Sequence, residues 1–237
     1  RLRPSGPMKV HAAEVAADSM VNAPAGLMMA RSVPQEERAT ASLWELGVQS
    51  VPAGNAIRLP LEQSSWKAHF FRLARPSSSP GAVFLMAETS LPETLELPSG
   101  KASYMVDGVP VGTEFFSTAN WDGMVHFGID PRVFVDMKLD VQKSGREGFV
   151  DKRQTRIWTW TFTVTNRHSM PVDVRIEDPA PQSMDEGIKI VVSSSPEPKR
   201  KDHVFMWNLT VPANGSKSIR HTVEASAPEG MPFSDGR

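Results

Sequence analysis

The chain has 237 residues, of which 26 are Lys or Arg and 27 are Asp or Glu, so the formal net charge is −1. This balance gives no overall electrostatic attraction to nucleic acid or to an anionic membrane. Hydrophobic residues make up 40% of the chain and cysteine is absent. These values predict a globular protein and exclude disulfides, thiolate zinc sites and a cysteine nucleophile. No apolar run is long enough to predict a transmembrane helix.

Residues 1–40 show little two-residue alternation, and several prolines interrupt them. We interpret this region as a linker or docking arm that is irregular or partly helical, with a short Ala-rich helix from Val10 to Val21. Its methionines suit docking against another surface, because the methionine side chain is flexible. Since the chain begins Arg-Leu-Arg, we expect it to be a piece of a longer polypeptide.

Residues 132–230 carry the clearest strand patterns. In the sequence WTWTFTVT at 158–165, large apolar residues alternate with threonines, which is typical of a half-buried strand. In the run 219–225 the apolar row consists of Ile219, His221, Val223 and Ala225. Similar alternation occurs at 133–141, 172–176, 188–192 and 205–211. We therefore predict an antiparallel β-sandwich of the immunoglobulin or fibronectin type for residues 132–230.

Residues 41–131 are predicted to form an N-terminal β subdomain of about seven strands. Strand-like runs within it lie at 57–61, 68–73, 83–87 and 109–115. Asp107-Gly108 and Asn214-Gly215 each separate two such runs and predict tight hairpin turns. Residues 231–237 are interpreted as a tail.

Two charged segments, 142–156 and 193–203, are predicted to be long solvent loops. The first carries four candidate ligand-contact residues, Lys143, Arg146, Lys152 and Arg153, which suit a phosphate or an anionic polysaccharide. Interleaved acidic residues favour a simple solvated loop instead. Trp121 is a further candidate, because Trp44, Trp66 and Trp121 lie near predicted turns and are expected to be exposed.

No sequence motif assigns catalytic, cofactor-binding or metal-binding residues. The chain lacks a nucleophile elbow, a phosphate-binding glycine loop and a histidine pair with zinc-ligand spacing. The most concentrated acidic group consists of Glu177, Asp178, Asp185 and Glu186. It suits calcium by its oxygen ligands, but the two prolines between these pairs favour a rigid turn in which Asp185 and Glu186 cap backbone amides.

An ordered series of segments from about residue 41 to residue 230 resembles the C-terminal module of the mucoidy-inhibitor family, a domain of unknown function. The closing strand departs from the family's aromatic pattern at Ala225, Ser226 and Ala227. The segments that carry the resemblance are VDGVPVGT (106–113), GIDPRV (128–133), SGREGFVDKRQTR (144–156), VTNRHSMPVDV (164–174), EDPAPQSMDEGIKI (177–190) and FMWNLTVPANGSKSIRHTVEASAPEG (205–230).

The resemblance implies a bacterial protein of the periplasm or cell envelope, with a cytoplasmic location as the alternative. The resemblance implies no enzymatic activity. The name of the mucoidy-inhibitor family links it to suppression of exopolysaccharide overproduction. Our first hypothesis is a non-catalytic module that acts through a protein partner or self-association. The alternatives are a carbohydrate-binding module for envelope polysaccharide and a hydrolase with a site assembled across strands.

Overall fold

The described part of the chain is built from strands and contains no helix, which confirms the predicted all-β class. The structure is a computed structural model that describes residues 8–10, 35–38, 41–54, 58–61, 63–91, 97–118, 121–148, 152–183 and 185–231. Its strands are β1 (Met8–Val10), β2 (Gln35–Arg38), β3 (Ala41–Trp44), β4 (Ser64–Trp66), β5 (Ala68–Ala74), β6 (Val83–Thr89), β7 (Gly100–Val106), β8 (Val109–Phe116), β9 (Met124–Ile129), β10 (Val133–Glu147), β11 (Arg153–Asn166), β12 (Val172–Pro179), β13 (Lys189–Ser195), β14 (Lys199–Lys201), β15 (Val204–Val211) and β16 (Gly215–Pro228).

Two larger sheets contain most of these strands. One has four strands in the order β10-β11-β16-β13, and the other has six in the order β14-β15-β12-β5-β6-β9. The four-stranded sheet is antiparallel throughout, whereas β5 and β12 of the six-stranded sheet run parallel. Three two-stranded sheets pair β1 with β4, β2 with β3 and β7 with β8.

The chain divides into two compact units, each containing two chain segments. The first unit comprises residues 1–69 and 87–127, and the second comprises residues 70–86 and 128–237. The predicted boundaries at 40/41, 131/132 and 230/231 stay predictions.

The core of the second unit is formed by the inward rows of the two larger sheets. Trp158, Trp160, Phe162 and Val164 of β11 are all buried, as the alternation in WTWTFTVT predicts. Trp207 of β15 faces them from the other sheet, and its ring meets that of Phe162 edge-on at 5.7 Å between centroids. Aromatic pairs favour this arrangement because it places the positive edge of one ring against the negative face of the other.

The threonines of β11 form a polar layer on the opposite face of the sheet. The hydroxyl of Thr159 lies 3.0 Å from that of Thr222, and the hydroxyl of Thr163 lies 3.0 Å from that of Ser218. Thr161 donates its hydroxyl proton to Asp140. Hydrogen bonds across strands therefore satisfy these hydroxyls, and Thr159 is buried rather than facing solvent.

A β-bulge interrupts the predicted alternation of β10. Leu139 lies opposite Trp160 whereas Val141 lies opposite Thr159, so the strand gains one residue at Asp140. A bulge of this kind moves the following side chains to the other face of the sheet. The prediction that Leu139 and Val141 share a face is therefore wrong, and Leu139 is exposed at the end of its row.

The two predicted solvent loops are mostly strand. β10 extends to Glu147 and β11 begins at Arg153, so residues 148–152 alone connect them. The segment 193–203 contains the end of β13 and all of β14. The loop prediction was wrong because these strand ends are charged and lack apolar alternation, as is expected of strands that extend past the core.

The two turn predictions have different outcomes. Asp107 and Gly108 both have positive φ, at 50° and 80°, and they connect β7 to β8 as a tight hairpin. Asn214 has positive φ, at 48°, but it connects strands of different sheets, so the predicted hairpin is wrong. Gly215 is needed for close approach, because a Cβ there would lie 2.8 Å from Cγ of Pro212.

Some predicted elements fall on residues that the structure does not describe. The helix from Val10 to Val21 lies outside the described residues except at Val10, which ends β1. In the predicted strand at 57–61, residues 58–61 are described and belong to no strand.

Trp66 is buried in β4, so its predicted exposure is wrong.

Replacing Trp160 by Ala tests the importance of this core. We expect Trp160→Ala to lower the free energy of unfolding by about 3–5 kcal/mol, because it removes a buried aromatic and leaves a cavity. Urea denaturation followed by circular dichroism measures the change. Thr165→Ala, on the opposite face of the same strand, is the control, and a similar loss in both variants would contradict this assignment.

Candidate functional site

The four basic candidates lie at one end of the β10–β11 strand pair. Lys143 and Arg146 are on β10 and are exposed, whereas Arg153 begins β11 and is half-buried. Lys152 directly precedes β11 and is exposed. The structure therefore places these residues in one region of the second unit, on or next to strands.

Two of these cations are engaged with the protein itself. Arg153 donates from Nη2 to the carbonyl oxygens of Gly187, at 2.6 Å, and Ser226, at 2.9 Å. Arg146 forms an exposed ion pair with Glu229 at 3.5 Å. Arg153 thus connects the end of β16 to the loop before β13. Because its Nη2 already donates to these carbonyl oxygens, the guanidinium is less able to contact a ligand.

Trp121 belongs to the first unit and is half-buried. Its indole Nε1 donates to the carbonyl oxygen of Thr89 at 3.3 Å, and its ring lies 5.5 Å from that of Phe116. An exposed ring face is what stacking on a sugar requires. The observed contacts instead hold the ring against its own unit.

A buried carboxylate, that of Asp130, organises one end of the sandwich. Its oxygens lie 2.9 and 3.0 Å from Nε2 of His168, and Arg72 donates to it from Nε at 3.1 Å. The backbone amide of Arg132 donates to the same carboxylate at 3.0 Å. Burial by itself would raise the pKa of Asp130, but these hydrogen bonds outweigh it and hold that pKa below its ordinary value of 3.8.

Asn166 extends this polar network through the backbone amide of His168. It is fully buried, and its amide donates to the carbonyl oxygens of Met170 at 2.8 Å and Pro212 at 3.0 Å. Its Oδ1 accepts from the backbone amide of His168 at 2.8 Å. The network thus fixes the turn between β11 and β12, so we interpret it as a structural element rather than a catalytic one.

Sequence reasoning missed a second buried histidine site. His221 is fully buried, and its Nδ1 lies 2.7 Å from the hydroxyl of Ser194 on the neighbouring strand. Four aromatic rings lie 5.4–6.1 Å from its own, those of Trp160, Phe162, Phe205 and Trp207. The signal was present, because His221 occupies an inward position of the alternating run at 219–225.

A serine–histidine pair is also the start of a hydrolytic site, since the imidazole can accept the hydroxyl proton. Such a site also needs room for a substrate beside the hydroxyl. The rings around His221 belong to the hydrophobic core, and Ser194 is half-buried at the sheet edge. The geometry therefore supports a core hydrogen bond better than it supports acyl transfer.

The acidic group at 177–186 does not converge on one point. Glu177 pairs with Arg75 at 2.8 Å, and Asp178 accepts a hydrogen bond from Ser77. Asp185 accepts from the amide of Gly187 at 2.7 Å, as expected for a capped turn. Among the residues that the structure describes, no group of three or more His, Cys, Asp or Glu side chains is arranged to hold a metal.

The β7–β8 hairpin of the first unit exposes large apolar side chains. We call these residues the hairpin patch; they are Met105, Val109, Val111 and Phe115. Phe115 is 76% exposed and lies opposite Lys101, which shares a face of β7 with Met105. The other face of β7 is buried through Tyr104, whose ring meets that of Phe127 edge-on at 5.7 Å. Burial, with a smaller contribution from Glu114, raises the pKa of Tyr104.

The comparison with family models identifies the chain at the level of a family. A model described as "Domain of unknown function (DUF4139)" matches residues 6–229. The chain belongs to the DUF4139 family. The DUF4139 match covers every described strand, from Met8 at the start of β1 to Pro228 at the end of β16.

No curated protein and no solved structure matches this DUF4139 chain. In the described residues, no helix has the length and apolar character needed to cross a bilayer.

Replacing Asp130 by Asn tests the buried network. Because the folded pKa of Asp130 lies below 3.8, its ionised form contributes stability above that pH, and the contribution is lost as pH falls through the lower folded value. We expect Asp130→Asn to cost about 3 kcal/mol of unfolding free energy near pH 7, since it removes the charge beside Arg72. Urea denaturation at several pH values measures this cost.

The exposed Asp173, which accepts a hydrogen bond from Thr210, provides the control variant Asp173→Asn. The difference between wild type and Asp130→Asn should shrink below pH 4. A difference that stays constant down to strongly acidic pH would contradict the role assigned to this carboxylate.

Proposed function

We propose that this DUF4139 chain is a non-catalytic β-sandwich module of a bacterial cell-envelope protein, that it acts through contact with another protein, and that it takes part in the control of exopolysaccharide production. The interaction is supported by the hairpin patch. The envelope location and the link to mucoidy are supported by the resemblance of six segments to the mucoidy-inhibitor family.

The hairpin patch has the composition of a contact surface. Aromatic residues and methionine are enriched at protein interfaces, and Phe115 and Met105 lie at the exposed face of one hairpin. A β-bulge at Val111 places Val109, which is 61% exposed and lies opposite Val106, on the other face of the hairpin, so this strand pair exposes apolar side chains on both faces. Covering the Phe115 side chain alone contributes about 2 kcal/mol to association, by the usual relation between apolar area and transfer free energy.

The neighbouring polar residues favour a protein partner of defined orientation. Lys101 lies opposite Phe115 in the strand pairing, and Ser103 lies opposite Thr113. These polar groups border the apolar side chains, as in the rim of many interfaces. The hairpin itself is held by Tyr104 against Phe127, so the patch is presented by an ordered element.

Carbohydrate binding receives less support from the structure. Trp121 is half-buried, and Arg146 and Arg153 are engaged with Glu229, Gly187 and Ser226. Lys143 and Lys152 remain candidate ligand contacts, because both are exposed. We therefore keep the protein-contact function as the proposal.

A photo-crosslinking amino acid placed at position 115 tests the proposed contact in cells. We expect a covalent adduct with a protein partner from position 115, and a much weaker adduct when the same amino acid replaces the exposed Lys217. Mass spectrometry of the adduct identifies the partner. Equal labelling from both positions would contradict a specific contact at the hairpin patch.

Phe115→Ser tests the link between contact and function. Loss of a central aromatic should cost at least about 2 kcal/mol of binding, whereas the stability of an exposed position should change by less than about 0.5 kcal/mol. We expect a strain that carries this variant to overproduce exopolysaccharide, as measured by total secreted hexose. Val48→Ser is the matched control, because Val48 is another exposed apolar residue of the first unit. Unchanged exopolysaccharide in the Phe115 variant would overturn the link to mucoidy.

A further inference from the structure

His221 places an ionisable ring inside the aromatic part of the second unit's core. The residue lies on β16 and is fully buried. The rings of Trp160 and Phe162 stack on it with centroids 6.1 Å from its own, and those of Phe205 and Trp207 meet it edge-on at 5.5 and 5.4 Å. A charged imidazole is less stable than a neutral one in such a site, because dehydrating an ion costs more free energy than a cation–π contact contributes.

Two charged groups border this part of the core. Asp178 of β12 is fully buried, lies opposite Phe205 in the strand pairing and accepts a hydrogen bond from Ser77. Arg200 of β14 lies 5.9 Å from the Phe205 ring. The carboxylate and the guanidinium act on a charged imidazole with opposite sign, so their effects on His221 oppose each other. In the described part of β11, β13 and β15, the side chains that contact the ring are uncharged; they are those of Trp160, Phe162, Ser194, Phe205 and Trp207.

β13 covers the imidazole at the edge of the four-stranded sheet. Ser194 lies opposite His221 in the strand pairing, and its hydroxyl is 2.7 Å from Nδ1 of the ring. Trp160 of β11 lies opposite His221 on the other side. The imidazole is therefore enclosed between a central strand and an edge strand. Of these two strands, only the edge strand can separate while the other pairs of the sheet stay formed.

β13 is held less firmly than the central strands of its sheet. It pairs with β16 alone among the strands that the structure describes. Its side chains alternate between exposed and half-buried, and Ile190 and Val192 supply its apolar contact with the core. Few buried contacts and hydrogen bonds along one side are typical of segments that open locally.

Contacts beyond both ends of β13 limit how far such an opening extends. Arg153 donates from Nη2 to the carbonyl oxygen of Gly187, which precedes the strand. Trp207 donates from Nε1 to the carbonyl oxygen of Pro196, which follows it, at 3.0 Å. These hydrogen bonds can remain when β13 separates from β16, so the rest of the sandwich stays folded. Water then reaches the imidazole from the side of Ser194.

We propose that protonation of His221 releases β13 from β16, so that this edge strand opens as the pH falls. An imidazole in water has a pKa near 6.5, so its charge changes within the physiological range. Because the open form exposes the ring to water, it binds the proton more tightly than the closed form does. The closed form is therefore fully favoured above about pH 6.5, and falling pH shifts the equilibrium toward opening. An opened β13 uncovers the edge of β16, so the chain presents a different surface in acidic surroundings.

Hydrogen exchange of the full chain, followed by mass spectrometry, tests this coupling. Dividing the intrinsic exchange rate by the observed rate gives a protection factor, which removes the pH dependence of the exchange chemistry. We expect the protection of Lys189–Ser195 to fall about eightfold between pH 6 and pH 5, the change for one proton bound on opening with a pKa near 6.5. Protection of β12 should stay higher than that of β13 at both pH values, because β12 exchanges only through a larger unfolding.

Two substitutions of His221 remove the titrating group. His221→Phe keeps an aromatic ring in the core, and His221→Asn keeps a hydrogen-bond partner for the Ser194 hydroxyl. In both variants the eightfold change should fall below about twofold, whatever the level of protection itself. Circular dichroism establishes that each variant is folded.

Two further variants separate titration from hydrogen bonding. Ser194→Ala keeps the imidazole but removes its hydroxyl partner, so protection of β13 should be lower at both pH values while its pH dependence remains. The matched control is His203→Asn, which replaces an exposed histidine between β14 and β15 and should leave the pH dependence unchanged.

Three results would overturn the proposal. The first is a protection factor of Lys189–Ser195 that stays constant between pH 6 and pH 5. The second is the full pH dependence in His221→Phe and His221→Asn, because another group would then be responsible. The third is equal protection of β12 and β13 at pH 5, since the second unit would then unfold as a whole.

Discussion

The alternation of aromatic and threonine side chains along β11 is the constraint on which the larger part of the structure depends. β11 lies between β10 and β16, and its residues pair with both strands over nearly its whole length. A shift of one residue on either side would exchange the buried row for the polar row. The packing of Trp160 and Phe162 and the hydroxyl pairs of Thr159 and Thr163 therefore specify the same register from opposite faces.

The predictable part of the fold was the part with two-residue periodicity. The runs that became β10, β11, β12, β15 and β16 all carry it, and the residues of their inward rows are largely buried. The outer halves of β10 and β11 lack it, because they extend past the core and carry residues such as Lys143 and Arg146. The hairpin prediction at Asn214 also failed. A turn sequence indicates the local backbone conformation, but it does not indicate which sheet the next strand joins. The bulge at Asp140 had no sequence signal that we recognised.

Less of the candidate site was predictable than of the fold. The basic residues were found by their charge, but charge does not reveal that Arg153 would reach the carbonyl oxygens of Gly187 and Ser226. Arg72, Asp130 and His168 meet at one end of the sandwich from separate parts of the chain, so sequence spacing could not bring them together. His221 was predictable in part, because a polar residue in an apolar row must find a hydrogen-bond partner in the core.

The turn that carries the chain from one sheet to the other has a consequence for how the sequence can change over time. Gly215 lacks the Cβ that would meet the ring of Pro212, so each residue limits the size of the other. A larger residue at position 215 becomes acceptable only after the ring at position 212 has been lost. Substitutions at these two positions should therefore be coupled during evolution, and their order of appearance should be constrained.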